Sequence, residues 1–185
     1  MISAQAKESF ERIFVHAARM RLAVDGGACD IVPVGFDAMA RPRGARIAVL
    51  TISSLHFRLL IALRFVDDDA TRGYFVGANA RQPLHEVFME IANLCCGAMN
   101  QALAEHFPDL GMSTPYLLDG ASIDALSALE PGHLAAFDVT VGASVRIGAT
   151  LCVCANGPVD FHVDVHALER ENSAVAETAG ELEFF

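Results

Sequence analysis

Between Leu84 and about His106 apolar residues recur at the period of an α-helix, and this long amphipathic segment constrains the fold more than any other feature of the sequence. At about 100° per residue, Leu84, Val87, Phe88, Ile91, Leu94, Cys95, Ala98, Met99 and Ala102 fall on one face, which must be buried against a second layer. Pro83 opens the helix, where a missing N–H is harmless. The opposite face reads Glu86, Glu90, Asn93, Gly97, Asn100 and Ala104. A solvated helix face ordinarily carries several Lys or Arg and no mid-helix glycine, which costs about 1 kcal/mol relative to alanine. This one offers a carboxylate and a carboxamide one turn apart, beside two residues small enough to let another surface approach. That is the composition of a docking face.

The segments around this helix supply the second layer. A first helix is expected over Gln5–Val24, with Ser3 as its cap and Gly26-Gly27 as its stop. Cys29–Phe36 reads as a short strand, and Ile47–Ser53 with Leu55–Phe65 as a pair of strands, the second nearly all apolar. Asp67-Asp68-Asp69 and Arg72-Gly73 read as a turn before Tyr74–Gly77. Met112–Leu118 is a strand entry containing Pro115, followed by a short helix near Ile123–Leu129. Two strands, Ala135–Gly148 and Thr150–Ala155, precede Asn156-Gly157, a hairpin signal leading into an alternating strand over Val159–Leu168. The order predicts an α+β domain over residues 1–168: a large antiparallel β-sheet with two long helices packed on one face. Glu169–Phe185, with five Glu and one Arg, is expected to be a mobile acidic tail.

At 185 residues the chain has room for one well-buried core. A net charge of −10, with thirteen Lys and Arg dispersed and no basic patch, argues against nucleic acid or anionic lipid as partner. Charges interrupt the first twenty residues and every long apolar run, so neither a signal peptide nor a membrane span is expected. Five cysteines without a Cys-x-x-Cys pair indicate reduced thiols in a cytoplasmic protein. Of the adjacent pair, Cys95 falls on the core face and Cys96 on its flank.

The segment Glu90-Ile91-Ala92-Asn93-Leu94-Cys95-Cys96-Gly97, followed by Met112-Ser113-Thr114-Pro115-Tyr116-Leu117-Leu118-Asp119-Gly120, resembles the CheC/CheX group of chemotaxis phosphatases. Their signature has an acidic residue or Ser, then Glu, Asn and a more distant Pro. Glu86, Glu90, Asn93 and Pro115 occupy those positions, with twenty-one residues between Asn93 and Pro115. The family usually has Asp or Ser where Glu86 stands. The first helix has Glu11-Arg12-Ile13-Phe14 and no Asn, so one copy of the pair is present, as in CheX-like members. The resemblance implies a cytoplasmic phosphatase for the aspartyl phosphate of a CheY-type response regulator. Asn93 would orient the attacking water and Glu90 would accept hydrogen bonds from a lysine of the partner. Glu86, Gly97, Asn100 and Pro115 would contact the receiver domain. Mg²⁺ would belong to the receiver, so no cofactor or metal is expected in this chain, and a homodimer is compatible with the family. The alternative is a catalytically silent CheC/FliM-like receiver-binding or scaffold domain.

Two other constellations carry simpler readings. His162, Asp164 and His166 share one face of the predicted last strand, and with His133 or His56 nearby they could ligate zinc. The simpler reading is the solvent face of a strand whose Val163 and Val165 enter the core. Asp67-Asp68-Asp69 lacks the spacing of a calcium loop and reads as solvated.

Overall fold

Strands β3 (Phe57–Val66) and β7 (Val145–Ala155) run through the middle of an antiparallel sheet and are apolar on both faces. Side chains alternate along a strand, so Phe57, Leu59, Ile61, Leu63 and Phe65 enter one core while Leu60 and Ala62 enter another on the far side. The computed structural model describes residues 1–77 and 82–164. Among these, seven strands run in the order β1 (Cys29–Val34), β6 (His133–Val141), β7, β3, β2 (Ala45–Ser53), with β4 (Gly111–Met112) and β5 (Tyr116–Asp119) both paired to β2 at the last edge.

The larger core lies between the sheet and two long helices, α1 (Ala4–Leu22) and α3 (Leu84–Ala104), which also pack on each other. Ser3 caps α1 as expected, its hydroxyl accepting from the Ala6 N–H at 3.0 Å. Phe88 anchors the start of α3 by stacking on Phe65 of β3, with ring centroids 4.0 Å apart. The smaller core, on the other face, is covered by a 3₁₀ turn at Phe36–Ala38 and a 3₁₀ helix at Gly120–Leu129. The architecture is the expected α+β one, with both long helices on one face. No helix among the described residues is long and apolar enough to cross a membrane.

Four local expectations change. Asp67–Gly73 is not a turn before Tyr74–Gly77 but the entry to a helix, α2 (Asp69–Phe75). The Asp68 carboxylate caps it by accepting from the Thr71 N–H at 2.8 Å, and that hydrogen bond holds its pKa below the usual carboxylate range. The strand break expected at Gly148 lies instead at Gly142, which turns β6 into β7 with φ at 59°. Met112–Leu118 is split, because Pro115 has no N–H to donate and Ser113 completes the ladder with its side chain. There the Ser113 N–H donates to Thr51 O at 2.9 Å, and the Thr51 N–H donates to Ser113 Oγ at 3.0 Å.

The fourth change is that Asn156-Gly157 makes no hairpin. Val159 returns to the N-terminus and bridges Ile2 in parallel, with the Ser3 N–H donating to Val159 O and the Val159 N–H to Met1 O, each at 3.0 Å. The predicted alternation persists without a sheet: Val159, Phe161 and Val163 are buried, and Phe161 packs on Phe10. The rest of that predicted strand, the domain limit at residue 168 and the acidic tail lie outside the described residues.

His133, at the start of β6, ties α1 to the sheet. Its Nε2 lies 3.0 Å from Glu11 Oε1, an ion-pair distance without the alignment of a hydrogen bond. Burial lowers its pKa from the ordinary 6.5, an effect that Glu11 only partly offsets and Lys7 reinforces. Below 6.5 the unfolded chain therefore binds a proton that folded His133 resists, so stability contributed by this site falls as pH drops through that value. The thermal midpoint is expected to decline between about pH 7.5 and pH 5.5, and His133→Gln should remove part of that decline. Unfolding scans of both proteins across this range check it.

Candidate functional site

Helix α3 buries Leu84, Phe88, Ala92, Cys95, Cys96, Met99 and Leu103. Relative to the sequence-based face, the buried side is turned by a little under a quarter of a revolution, toward the small residues Ala92 and Cys96. The physical reason is that α3 has two neighbours, the sheet and α1, and small side chains let it sit close to both. Cys96 is therefore fully buried rather than flanking, and burial pushes both thiols, Cys95 and Cys96, up to about 12. Leu94 moves the other way: expected in the core, it is 50% exposed.

The rotation centres the outward face on Glu90. Glu86 and Glu90 are exposed, Asn93 and Gly97 are half-buried, and successive steps of four, three and four residues stack them along one stripe. Leu94 joins this stripe as an apolar contact that the core assignment had hidden. The signal that could have found it was the pair Ala92 and Cys96, small residues spaced for helix–helix contact. Asn100 does not belong to the open stripe: it lies at the flank, its Oδ1 enclosed and without a hydrogen-bond partner among the described residues. Pro115 is brought to the split sheet edge that α3 overlies, beside the helix and not on its stripe.

Nothing in the described part of the chain occupies the acidic groups of this face. Helix α3 contains no Lys or Arg, and no ion pair among the described residues reaches Glu86 or Glu90. Side chains three residues apart on a helix have Cβ atoms about 5–6 Å from each other, so the Glu90 carboxylate and Asn93 carboxamide can engage one bound group together. Gly97 has no internal reason to be glycine: a Cβ there would meet no atom within 4 Å, and its φ is not in the left-handed region. The corresponding face of α1 is built differently. Glu11 is engaged with His133, and Phe14, three residues on, is fully buried against Phe137.

The zinc constellation is not assembled among the described residues. His162 and Asp164 are exposed, His166 lies outside the described residues, His133 contacts Glu11, and His56 packs on Phe107. No group of three or more potential ligands is found among the described residues.

No protein-family model matches the sequence, and no curated protein matches it. Solved structures do match. CheX from Vibrio vulnificus superposes with a TM-score of 0.52 at 14% identity, covering 78% of this chain and 96% of its own. The CheX–CheY–BeF₃–Mg²⁺ complex from Borrelia burgdorferi gives a TM-score of 0.56 at 12% identity, over 80% of this chain and 96% of that one. A CheC-like superfamily protein from Shewanella gives 0.55 at 9% identity, over 82% and 98%. At these identities the likeness establishes the fold, which is that of the CheC/CheX chemotaxis proteins.

The open space at Gly97 yields a prediction independent of any activity. Gly97→Ala should stabilise the protein by about 0.5–1 kcal/mol, because alanine restricts the unfolded chain and suits a helix interior. For a chain of this size that is a rise of roughly 1–4 °C in thermal midpoint, measurable by calorimetry.

Proposed function

We propose that this chain, whose fold is that of the CheC/CheX chemotaxis proteins, hydrolyses the aspartyl phosphate of a CheY-type receiver domain. The observation that carries the reading is the Glu90–Asn93 pair, at the centre of an outward helix face that has no ion pair among the described residues and no basic side chain of its own. A structural salt bridge would have occupied such a carboxylate. The Borrelia burgdorferi neighbour, a CheX bound to CheY, gives the fold a partner of the required kind.

An acyl phosphate is already labile, and phosphoryl transfer asks a protein mainly for position and charge stabilisation. Asn93 supplies position: its carboxamide oxygen accepts a hydrogen bond from water while its NH₂ group donates to a phosphoryl oxygen. The water oxygen bonds to phosphorus as the bond from phosphorus to the aspartyl oxygen breaks. The aspartate leaves as a carboxylate, and the proton released by the water passes to the phosphate. Glu90 contributes no proton. Its carboxylate accepts from a receiver lysine and so holds the helix at the distance that Asn93 needs. Mg²⁺ bound in the receiver balances phosphoryl charge, and this chain is assigned no metal ligand. Gly97 and Leu94 form the ground on which the receiver sits, the first by its bareness and the second by its apolar surface.

Decay of a phosphorylated receiver with and without the protein tests the assignment. Asn93→Ala is expected to lose acceleration on the order of 10²-fold or more while retaining binding. Glu90→Ala is expected to weaken binding and rate together. Gly97→Ala should weaken receiver binding although it stabilises the fold, a split that a merely structural glycine would not produce. Undiminished activity in Asn93→Ala and Glu90→Ala would overturn the mechanism. Binding without any acceleration by the wild type would assign the chain to silent receiver-binding domains.

A further inference from the structure

On the sheet face turned away from α1 and α3, the fold buries a guanidinium that forms no ion pair among the described residues, with Asp138 and Asp124 acting on it from beyond ion-pair distance. Arg64 lies between Leu63 and Phe65, which both enter the helix-side core, so its side chain is directed to the opposite face. Only 4% of the residue is exposed. Its Nη1 has no hydrogen-bond partner among the described residues. The neighbouring strand leaves space for it. Gly148 is its register partner on β7, and a Cβ at that position would sit 2.6 Å from the Arg64 Nη2.

Arg64 lines a cavity of about 230 Å³ together with Arg41, Arg43, Asp119 and Asp124. Thirteen basic residues scattered along the sequence thus place three at one concavity, a convergence that their spacing did not disclose. Both carboxylates there are engaged within the protein. Asp124 accepts from Arg41 Nε at 2.8 Å, and Asp119 accepts from the Ala121 N–H at 2.9 Å. Arg43 is exposed and, like Arg64, has no ion pair among the described residues. Three guanidinium groups thus face two carboxylates across this cavity, an excess of one positive charge. A second cavity, of about 290 Å³, joins Arg64 to Asp138 and Arg146, with Asp138 beyond ion-pair distance of Arg64.

We propose that the cavity bounded by Arg41, Arg43 and Arg64 binds a small oxyanion, a phosphate or carboxylate group, with Arg64 as its buried donor and Arg43 as its outer one. Water could satisfy the N–H groups of Arg64, whereas an oxyanion would in addition bring a compensating charge to a guanidinium that is largely out of solvent. A planar guanidinium fork matches two oxygens of a carboxylate or phosphate, whereas chloride engages it at a single point. The cavity is smaller than the roughly 300–1,000 Å³ of sites for drug-sized molecules, so a charged head group is the part it encloses. Burial, reinforced by Arg41, holds the Arg64 pKa below its ordinary value even with Asp138 and Asp124 opposing. The site is separated from the α3 stripe by the thickness of the sheet and does not depend on the phosphatase reading.

Titration calorimetry and thermal unfolding of the full chain test this with inorganic phosphate and with acetate, each against chloride at equal ionic strength. Saturable binding of at least one oxyanion is expected, with a midpoint rise of about 5–10 °C at a hundredfold excess over Kd. Binding should be about tenfold weaker in Arg43→Ala and absent in Arg64→Met. The tighter of phosphate and acetate identifies the head group. Absence of saturable binding by both anions, or affinity unchanged in Arg43→Ala and in Arg64→Met, would overturn the proposal. Should Arg64→Met fail to fold, Arg43→Ala decides alone, since Arg43 is exposed and its truncation leaves the core untouched.

Discussion

Because β3 and β7 carry apolar side chains on both faces, neither side of this sheet can be left to water, and the remaining elements follow from covering it. The large residues of β3, Phe57, Leu59, Ile61, Leu63 and Phe65, need a thick layer, which α1 and α3 provide. Each fully buried side chain of this size is worth roughly 1.5–3 kcal/mol, so this layer is the main source of stability. The other face is shallower, with Ala62, Ala136 and Cys152 among its buried residues. A 3₁₀ helix and a short turn suffice there, and concavities remain between them.

The outward stripe of α3 is a by-product of this covering. A helix wedged between a sheet and a second helix buries a wide arc, and what is left outward is narrow. On α3 that remainder holds Glu86, Glu90, Asn93, Leu94 and Gly97, and the relative placement of Glu90 and Asn93 needs no support beyond the helix backbone. The stack of Phe88 on Phe65 fixes the turn just before Glu90 to a central strand of the sheet. Rigidity comes from below, and the upper surface stays open.

Much of this was legible in the sequence because it depends on local rules. The Ser3 cap, the start of α3 after Pro83, the near-continuous apolar run of β3 and the outward Glu90–Asn93 pair are consequences of capping, proline geometry and periodicity. What escaped depends on who packs against whom. Asp68 makes the same kind of hydrogen bond in a turn as at a helix start, so α2 looked like a turn. Val159–Val163 shows strand alternation, but its partner is the N-terminus more than 150 residues away in sequence. The rotation of α3 follows from its contact with α1, which one helix's periodicity does not contain. Arg41, Arg43 and Arg64 meet only after β3 and the loop before β2 are brought side by side.

Adjacent residues of β3 thus serve opposite faces. Phe65 supports the helix that presents Glu90 and Asn93, while Arg64 reaches the cavity beyond the sheet. Period two separates the two roles by one residue in sequence and by the whole thickness of the sheet in space. The α3 stripe presents carboxylates without a Lys or Arg on the helix, and the Arg64 cavity gathers three arginines, so the two faces present charge of opposite sign. A sheet buried on both sides is well suited to this, since its core needs neither surface for stability. Both faces can then be shaped by what they meet rather than by what holds the fold together.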